Sequence, residues 1–345
     1  MKKKVAIIFG GCSSEYMVSL ASASSVIKNL NKSKYDYLMI GITKKGEFYL
    51  YDGDENKIET NEWIKETLKK VTISVNRSDH GIIVIDTGEV IKIDIAFPVL
   101  HGRNGEDGRL QGLLELAGIK YVGCDMVSSA LCMDKYLAHK MVYSNGILCP
   151  KSYLLKKEDN YDDIKKKIKQ LKYLIFIKPL RAGSSFGISK INNINDLNSA
   201  INEAFKYDDK IIIEESVEGF EVGCAILGNN DLKIGEVDEI ELQTSFFDYF
   251  EKYNLKTSQI YLPARVSKEE REKIQKTALD IYKILGCTGF ARVDMFYTKD
   301  KKIIFNEVNT IPGFTTHSRY PSMFKKIGIS FEEIIDEIIK LGLER

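Results

Sequence analysis

Residues Gly289–Arg319 read GFARVDMFYTKDKKIIFNEVNTIPGFTTHSR and carry the clearest structural pattern in the chain. The segments on either side of TKDKK are rich in β-branched and aromatic residues, which predicts two strands joined by a turn. Side chains alternate between the faces of a strand, so Arg292 and Asp294 share one face. Glu307 and Asn309 share a face of the second strand for the same reason. Pairing of the two strands as a hairpin would bring these four polar groups together on one side of the sheet.

Three of these residues, Asp294, Glu307 and Asn309, offer hard oxygen donors in otherwise apolar strands. Burying such groups without compensation is costly. Mg²⁺ compensates them well, because it binds carboxylate and carbonyl oxygens and keeps sites for water and phosphate. The pattern therefore indicates a magnesium site. The alternative is a solvent-facing polar strand face with a chance pairing of Arg292 and Asp294, and this stretch alone does not separate the two interpretations.

The composition is that of a soluble enzyme with two or three domains, because 345 residues exceed what one ordinary core organises. A formal net charge of +1 gives no long-range attraction to nucleic acid or to an anionic membrane. The six cysteines form no CxxC pair, which favours a reducing compartment. The N-terminus does not resemble a signal peptide, and no apolar run is long enough to span a bilayer. We therefore expect a cytoplasmic protein without nucleic-acid or membrane partners.

Two glycine-rich loops follow predicted strands in the N-terminal part of the chain. GGCSSE, residues 10–15, lies between the apolar run Val5–Phe9 and a helix, which is the opening of an α/β unit, but it lacks the GxGxxG spacing of a dinucleotide site. Glu15 is either a first-turn carboxylate favoured by the helix dipole or a ligand for an ammonium group. HGRNGEDG begins at His101 after the strand Ile91–Leu100 and suits a ligand-binding loop at the carboxyl edge of a parallel sheet. A flexible turn with helix caps is the alternative.

Two later loops have the composition of a flap and a lid that close over a binding site. RAGSSFGIS, residues 181–189, follows the predicted strand Tyr173–Ile177 and Lys178-Pro179, and runs into a second predicted strand, Gly187–Ile191. Its small residues let backbone N–H groups approach phosphate. It is not a Walker A loop, because GK[ST] is absent, and a Gly/Ser-rich hairpin turn is the alternative. FFDYFEKY, residues 246–253, is both aromatic and charged, which suggests a lid loop. An amphipathic edge strand is the alternative there.

The order of these motifs along the chain resembles that of the D-alanine–D-alanine ligase family of the ATP-grasp superfamily. The motifs are GGCSSE, LHGRNGEDG, CMDK, IKPLRAGSSFG, EES, FEVG, FFDYFEKY, ARVD, NEVNTIPG and THS. The resemblance extends from Gly10 to beyond Ser318 and covers essentially the whole chain. FFDYFEKY together with HSRYP is most similar to the vancomycin-resistance D-alanine–D-serine ligases of the VanG type.

This resemblance implies an α/β (α+β) protein with a three-domain ATP-grasp fold. Residues 1–125 would form a Rossmann-like N-terminal domain that binds substrate. Residues 126–217 would form a central ATP-grasp domain with the glycine-rich flap. Residues 218–345 would form a C-terminal ATP-grasp domain with the lid loop and the magnesium site. ATP would lie between the sheets of the central and C-terminal domains, and the enzyme would act as a homodimer.

The implied reaction begins with phosphorylation of the carboxylate of one D-alanine by ATP. The amine of a second D-amino acid then attacks the acyl phosphate, and phosphate leaves from a tetrahedral intermediate. Two Mg²⁺ ions, with Mn²⁺ as the alternative metal, would be held by Asp294, Glu307 and Asn309. The residues that would bind ATP are Lys135, Lys178, Glu214, Glu215, Val217, Glu221 and Lys252.

The resemblance also implies roles at the reacting groups. Arg292 and the backbone N–H of Gly313 would stabilise the oxyanion of the intermediate, and such donors are typically worth roughly 3–4 kcal/mol each. Glu15 would bind the ammonium group of the first D-alanine, and His101 would lie near its carboxylate. The lid would be closed over the site by a hydrogen-bonded triad of Glu15, Ser184 and Tyr253. Closure matters because water hydrolyses an acyl phosphate.

The acceptor distinguishes the groups within this family. The Lys-Tyr pair of the lid is retained here, whereas lactate-using relatives carry a different lid, so an amine acceptor is expected. Ser318 would bind the acceptor carboxylate. Phe247 and Arg319 match the D-serine group, and Asp238 would orient Arg319. A site built to hydrogen-bond a substrate hydroxyl discriminates strongly.

We therefore expect an ATP-dependent D-alanine–D-serine ligase of the vancomycin-resistance type, which makes a dipeptide precursor of peptidoglycan. A housekeeping D-alanine–D-alanine ligase is the alternative. A non-catalytic ATP-grasp protein that only binds nucleotide is a more remote one.

Overall fold

The computed structural model describes residues 2–171, 174–181, 183, 187–242 and 258–345. The described strands form three separate sheets that follow one another along the chain, and helices pack beside them. This arrangement confirms the mixed α/β class. Within the described ranges, no helix is long and apolar enough to cross a membrane.

The N-terminal sheet is built around its first strand, which is buried from Val5 to Gly10. Its strands are β1 (Lys3–Gly10), β2 (Tyr35–Ile42), β3 (Phe48–Tyr51), β4 (Lys69–Ile73), β5 (Gly81–Val84), β6 (Val90–Lys92) and β7 (Ile95–Val99). They lie in the order β6-β5-β4-β3-β2-β1-β7, and β1 is parallel to both β2 and β7. A strand covered on both faces requires an apolar run, which VAIIF supplies. The helices of this part are α1 (Tyr16–Asn29), α2 (Asn56–Glu59) and α3 (Arg109–Ala117), with a 3₁₀ turn at Trp63–Lys65.

The central sheet is smaller and entirely antiparallel. Its strands are β8 (Ser152–Lys156), β9 (Ile175–Pro179), β10 (Ser189–Ile191) and β11 (Lys210–Glu215), in the order β10-β9-β11-β8. β9 and β10 pair with each other on either side of the RAGSSFG loop, which confirms the two strands predicted around it. The helices are α4 (Met126–Met133), α5 (Lys135–Ser144), α6 (Tyr161–Ile168) and α7 (Leu197–Ala204), the last preceded by a 3₁₀ turn at Ile194–Asp196.

The C-terminal sheet carries the hairpin that the sequence predicted. Its strands are β12 (Gly219–Leu227), β13 (Lys233–Ile234), β14 (Asp238–Leu242), β15 (Ser258–Tyr261), β16 (Phe290–Thr298) and β17 (Ile303–Asn309). The order is β15-β14-β12-β16-β17, and β13 pairs with β12. The helices are α8 (Lys268–Ile284), α9 (Arg319–Lys326) and α10 (Phe331–Leu343). The long helix α8 begins at a capping box between Ser267 and Glu270, which satisfies backbone groups at its first turn.

An aromatic cluster joins the N-terminal sheet to the C-terminal helices. Phe97 of β7 packs edge-on against Phe314, with ring centroids 6.3 Å apart. Phe314 in turn lies 5.7 Å from the ring of Tyr320 in α9, and all three rings are buried. Phe314 belongs to the segment 310–318 between β17 and α9. Segment 310–318 is therefore fixed between the N-terminal sheet and the C-terminal helices. Polar groups from both parts of the protein converge at this segment.

Candidate active site

The β16–β17 hairpin forms one wall of the site. The strands are antiparallel, with Arg292 opposite Asn309 and Asp294 opposite Glu307. Directly opposite residues of an antiparallel pair project from the same face. The four polar side chains therefore converge, as the alternation of residues in the sequence predicted.

Asp294 lies at the centre of this wall and is only 1% exposed. Arg292 donates to both of its carboxylate oxygens, from Nε to Oδ1 at 2.8 Å and from Nη2 to Oδ2 at 2.7 Å. Asn309 donates from Nδ2 to Oδ2 at 2.8 Å. Burial disfavours the charged guanidinium, but the charge and hydrogen bonds of Asp294, together with the charge of Asp238, raise the pKa of Arg292. Arg292 and Asp294 thus form a buried ion pair. The alternative of a solvent-facing polar strand face is wrong for Asp294.

The donor set on this wall fits a hard divalent cation. Asn309 uses its amide nitrogen to bind Asp294, so its carbonyl oxygen is left for another partner. The side chain of Glu307 is 22% exposed, and its Oε2 lies 3.6 Å from Nζ of Lys135. In the described part of the chain, no group of three or more His, Cys, Asp or Glu side chains could hold a metal. Any ion here would therefore depend on the amide of Asn309 together with the two carboxylates, and all three are the oxygen donors that Mg²⁺ prefers.

A cavity of about 280 Å³ opens in front of the hairpin. Residues from widely separated parts of the chain line it. Those that the sequence analysis had singled out are Glu15, His101, Lys135, Glu221, Arg292, Glu307, Asn309, Gly313, Ser318 and Arg319. The cavity therefore combines candidate groups for nucleotide, metal and both amino-acid substrates.

Arg319, the first residue of α9, is the centre of a buried charge network. It donates from Nε to Oδ2 of Asp238 at 2.7 Å, from Nη2 to Oδ1 of Asp238 at 2.8 Å, and from Nη1 to Oε1 of Glu221 at 2.9 Å. Nη2 also lies 3.4 Å from Oδ1 of Asp294. Burial disfavours the charged guanidinium of Arg319, but the carboxylates of Asp238 and Asp294 raise its pKa. The suggestion that Asp238 orients Arg319 is confirmed.

Gly223 in β12 makes room for this network. Its backbone N–H donates to Oδ1 of Asp238 at 3.0 Å. A Cβ at this position would lie 2.3 Å from Nη2 of Arg319 and 2.7 Å from Oδ1 of Asp238. A larger residue would therefore push the arginine away from its carboxylate.

His101 is held in one neutral form. Its Nδ1 lies 2.9 Å from the backbone oxygen of Ile311, which only accepts, so Nδ1 carries the proton. Its Nε2 lies 3.0 Å from Oγ of Ser22 and accepts from that hydroxyl. Ser22 Oγ also accepts from the backbone N–H of Phe314 at 3.3 Å. Burial lowers the pKa of His101, which keeps the ring uncharged.

Glu15 lies beside the flap. The residue is 6% exposed and lines the cavity. A Cβ at Gly183 would lie 2.4 Å from Oε2 of Glu15, so a larger residue there would force this carboxylate to move. The two expected partners of Glu15, Ser184 and Tyr253, lie outside the described residues. The same is true of Phe247 and Lys252.

The nucleotide-binding candidates of the central sheet form a second polar group. Nζ of Lys178 in β9 lies 2.5 Å from Oε2 of Glu214 in β11, and Glu214 is 2% exposed. His139 of α5 lies 3.5 Å from the other oxygen of Glu214. Burial disfavours the carboxylate, but the neighbouring Lys178 and then His139 lower the pKa of Glu214. Oε2 of Glu214 is therefore paired with Lys178, whereas its buried Oε1 accepts no hydrogen bond from the described residues.

The remaining nucleotide candidates lie at element ends. Lys135 is the first residue of α5, whose N-cap Asp134 accepts from the backbone of Leu137. Glu215 ends β11 and accepts from the backbone N–H of Lys151 at 3.2 Å, and Val217 follows it in the chain. Glu221 binds Arg319 through one oxygen while it lines the cavity.

Glu106 also lines the cavity, and the sequence analysis did not single it out as a site residue. Its Oε2 accepts from the backbone N–H of Gly102 at 2.7 Å, and its Oε1 accepts from the backbone N–H of Ile311 at 3.0 Å. Burial and then the neighbouring Glu15 carboxylate raise the pKa of Glu106 to about 8, although the two N–H donors act in the opposite direction. The GED run of the HGRNGEDG loop was visible in the sequence, but nothing there indicated which of its two acids faces the cavity.

Comparison with known proteins places this geometry in a family. Residues 4–124 match the family described as D-ala D-ala ligase N-terminus, and residues 141–340 match D-ala D-ala ligase C-terminus. The chain is 46% identical to the vancomycin B-type resistance protein VanB of Enterococcus faecalis, over 100% of this chain and 99% of VanB. It is 43% identical to a D-alanine–D-alanine ligase of Caldicellulosiruptor bescii, over 100% of this chain and 96% of that protein.

A solved structure is similar over almost the full length. The VanG D-Ala:D-Ser ligase from Enterococcus faecalis is 55% identical, with a TM-score of 0.93, and the match covers 99% of this chain and 100% of that chain. The two family matches together span most of the sequence, and the full-length relatives are more than 40% identical. Both findings agree with the resemblance found in the motifs. The chain belongs to the D-alanine–D-alanine ligase family and is an ATP-dependent ligase with the ATP-grasp fold.

Proposed function

We propose that this protein is a D-alanine–D-serine ligase of the vancomycin-resistance type, which forms a dipeptide precursor of peptidoglycan through a D-alanyl phosphate. The observation that carries the proposal is the fixed position of Arg319, which is held by Asp238 and Glu221 at the edge of the cavity next to Ser318. The similarity to the VanG D-Ala:D-Ser ligase supports the same acceptor.

The hydrogen-bonding capacity of Arg319 supports a polar acceptor. A guanidinium has five N–H donors. Nε and one Nη2 hydrogen bind Asp238, the other Nη2 hydrogen faces Asp294, and one Nη1 hydrogen binds Glu221. Among the described residues this leaves one Nη1–H for a ligand. A single donor held in a fixed direction suits a substrate hydroxyl, and sites of that kind reject the analogue that lacks the hydroxyl.

Ser318 would receive the carboxylate of the acceptor. It is the N-cap of α9, where backbone N–H groups and the helix dipole favour an anion. Its hydroxyl accepts from the backbone N–H of Thr315 at 3.0 Å and lies 2.8 Å from the hydroxyl of Thr315. The carboxylate and the side chain of D-serine would thus lie against adjacent residues, Ser318 and Arg319.

The donor D-alanine and the nucleotide would occupy the rest of the cavity. Glu15 would bind the ammonium group, and Lys135 and Lys178 would contact ATP phosphates. Asp294, Glu307 and Asn309 would hold two Mg²⁺ ions, with Mn²⁺ as the alternative, and bound divalent metal would offset phosphate charge during the transfer. We place the reaction in the cytoplasm, in a homodimeric enzyme.

Arg292 and Gly313 would stabilise the tetrahedral intermediate. Asp294 engages Nε and Nη2 of Arg292, so the described residues leave Nη1 for the developing oxyanion. The two-point contact fixes the plane of the guanidinium before the reaction starts. Donors that are oriented in advance and shielded from water stabilise such charge effectively, and removal of one typically lowers kcat by about 10²–10³-fold.

The alternative is a D-alanine–D-alanine ligase, because the relative from Caldicellulosiruptor bescii carries that name at 43% identity. ADP release tests both the ligase activity and the acceptor. With ATP, D-alanine should support release, L-alanine should not, and added D-serine should give a higher kcat/KM at the acceptor site than D-alanine. No dependence on D-alanine would refute the ligase. Equal or lower kcat/KM with D-serine would favour the D-alanine–D-alanine ligase.

A further inference from the structure

We propose that Glu106 is a positioning residue that sets the direction of the Gly313 backbone N–H toward the reacting carbonyl. Its two carboxylate oxygens join two loops that are far apart in the chain: Oε2 accepts from Gly102 N–H at 2.7 Å and Oε1 accepts from Ile311 N–H at 3.0 Å. The inference rests on the role proposed for Gly313 in stabilising the oxyanion.

The peptide groups of Ile311 are held on both sides. Its N–H donates to Glu106, and its backbone oxygen accepts from Nδ1 of His101 at 2.9 Å. The next residue is Pro312, whose ring fixes φ and leaves few free torsions before Gly313. Phe314 is anchored on the other side, by its N–H bond to Ser22 and by its buried ring. The direction of the Gly313 N–H therefore depends on where Ile311 is held.

A carboxylate is the side chain that this position needs. Two backbone donors approach its two oxygens from different loops, so the group must accept twice and donate nothing. A glutamine would turn its amide NH₂ toward one of the two N–H groups, and one bond would be lost. A buried carboxylate beside Glu15 is costly, and the two backbone donors help to compensate it.

The adjacent acid provides a matched control. Oδ2 of Asp107 accepts from the backbone N–H of Asn104 at 2.9 Å, and its Oδ1 accepts from that of Arg109 at 3.3 Å. Both bonds stay within the segment 104–109. Asp107→Asn thus weakens the same loop without touching the connection to Ile311, whereas Glu106→Gln breaks that connection.

The experiment compares wild type, Glu106→Gln and Asp107→Asn in ADP release with saturating ATP and D-alanine as both substrates. Loss of the hydrogen bond to the Ile311 N–H, and of the geometry that this bond fixes, should lower kcat of Glu106→Gln by about 10–100-fold. The KM for ATP and the affinity for ADP should stay within about threefold, because Glu106 does not contact the nucleotide candidates. Asp107→Asn should keep kcat within about threefold of wild type.

Two results would overturn the inference. One is a Glu106→Gln enzyme with wild-type kcat. The other is a parallel loss of kcat, ADP affinity and melting temperature, which would make Glu106 a residue of general structure. D-alanine serves as both substrates in this comparison, so its outcome does not depend on D-serine preference. A wild-type enzyme that prefers D-alanine as acceptor would contradict the proposed acceptor alone.

Discussion

Asp238→Asn should separate acceptor choice from general activity. Asp238 is 1% exposed and accepts from Nε and Nη2 of Arg319 at 2.7 and 2.8 Å, and from the backbone N–H of Gly223 at 3.0 Å. Asparagine keeps the shape but loses the charge and turns an NH₂ group toward these donors. The Nη1–H of Arg319 that we assign to the acceptor hydroxyl would then lose its fixed direction.

The size of the effect follows from the type of bond that changes. Hydrogen bonds to charged groups contribute roughly 1.5–3 kcal/mol and neutral ones roughly 0.5–1.5 kcal/mol. The difference of about 1–2 kcal/mol corresponds to a decrease of about 5–30-fold in kcat/KM for D-serine. D-alanine has no hydroxyl, so its kcat/KM as acceptor should change by less than about threefold.

The folded protein should tolerate this substitution. The buried network contains two guanidinium groups and three carboxylates. Removal of the Asp238 charge leaves two of each, so no uncompensated buried charge is created. The variant can therefore be assayed under the same conditions as wild type.

Glu239→Gln is the matched control. Glu239 is the next residue of β14, is 3% exposed and lies 2.6 Å from Nη2 of Arg265. Adjacent residues of a strand face opposite sides, so this pair lies away from Arg319. The assay measures ADP release with D-alanine as donor and either D-serine or D-alanine as acceptor. An Asp238→Asn enzyme that keeps the wild-type ratio of the two kcat/KM values, or a Glu239→Gln enzyme that shifts it equally, would refute the reasoning.

Three other substitutions test separate parts of the protein. Glu307→Ala should abolish ADP release while the melting temperature stays close to that of wild type, because the lost group is a proposed metal donor on a partly exposed face. Wild-type turnover would contradict the metal assignment. Lys178→Met should lower the free energy of unfolding by about 3–5 kcal/mol, because it leaves the buried Glu214 without its nearest cation; an unchanged denaturant midpoint would disprove this. Asp336→Asn should cost about 1–2 kcal/mol at neutral pH after allowance for solvent screening. Burial opposes the shift, but the hydroxyl of Tyr35 and two lysines lower the pKa of Asp336 to about 2. A depressed carboxyl pKa stabilises the fold above the unfolded value and loses that contribution as pH falls, so the acid dependence between about pH 4 and pH 2 should flatten in the variant. Acid titrations of wild type and variant that coincide would exclude this role.

The polar face of the β16–β17 hairpin could be predicted from sequence because it depends on local rules. Alternation along a strand places Arg292 with Asp294 and Glu307 with Asn309, and the short connection makes pairing as a hairpin the expected arrangement. The order of motifs then identified the family, since the glycine loops and the lysine before the flap occur in a fixed sequence. These predictions required no knowledge of which distant elements meet.

The rest of the site depends on contacts between distant segments. The Arg319–Asp238 pair joins residues 81 positions apart, and it forms only because β12 lies between β14 and β16 and has a glycine where the guanidinium passes. Glu106 and Ile311 are 205 positions apart, and the sequence of the loop does not distinguish Glu106 from Asp107. The pairing of Lys178 with Glu214 likewise depends on the register of β9 against β11. Such long-range registers are set by packing of the whole fold and not by local pattern.

Acceptor competition tests the central claim most directly. Purified enzyme is given ATP, D-alanine and D-serine together, with the two amino acids at equal concentration, and the dipeptide products are separated and quantified by mass. We predict that D-alanyl-D-serine is the main product. A product that is almost entirely D-alanyl-D-alanine would contradict the account and identify the protein as a D-alanine–D-alanine ligase.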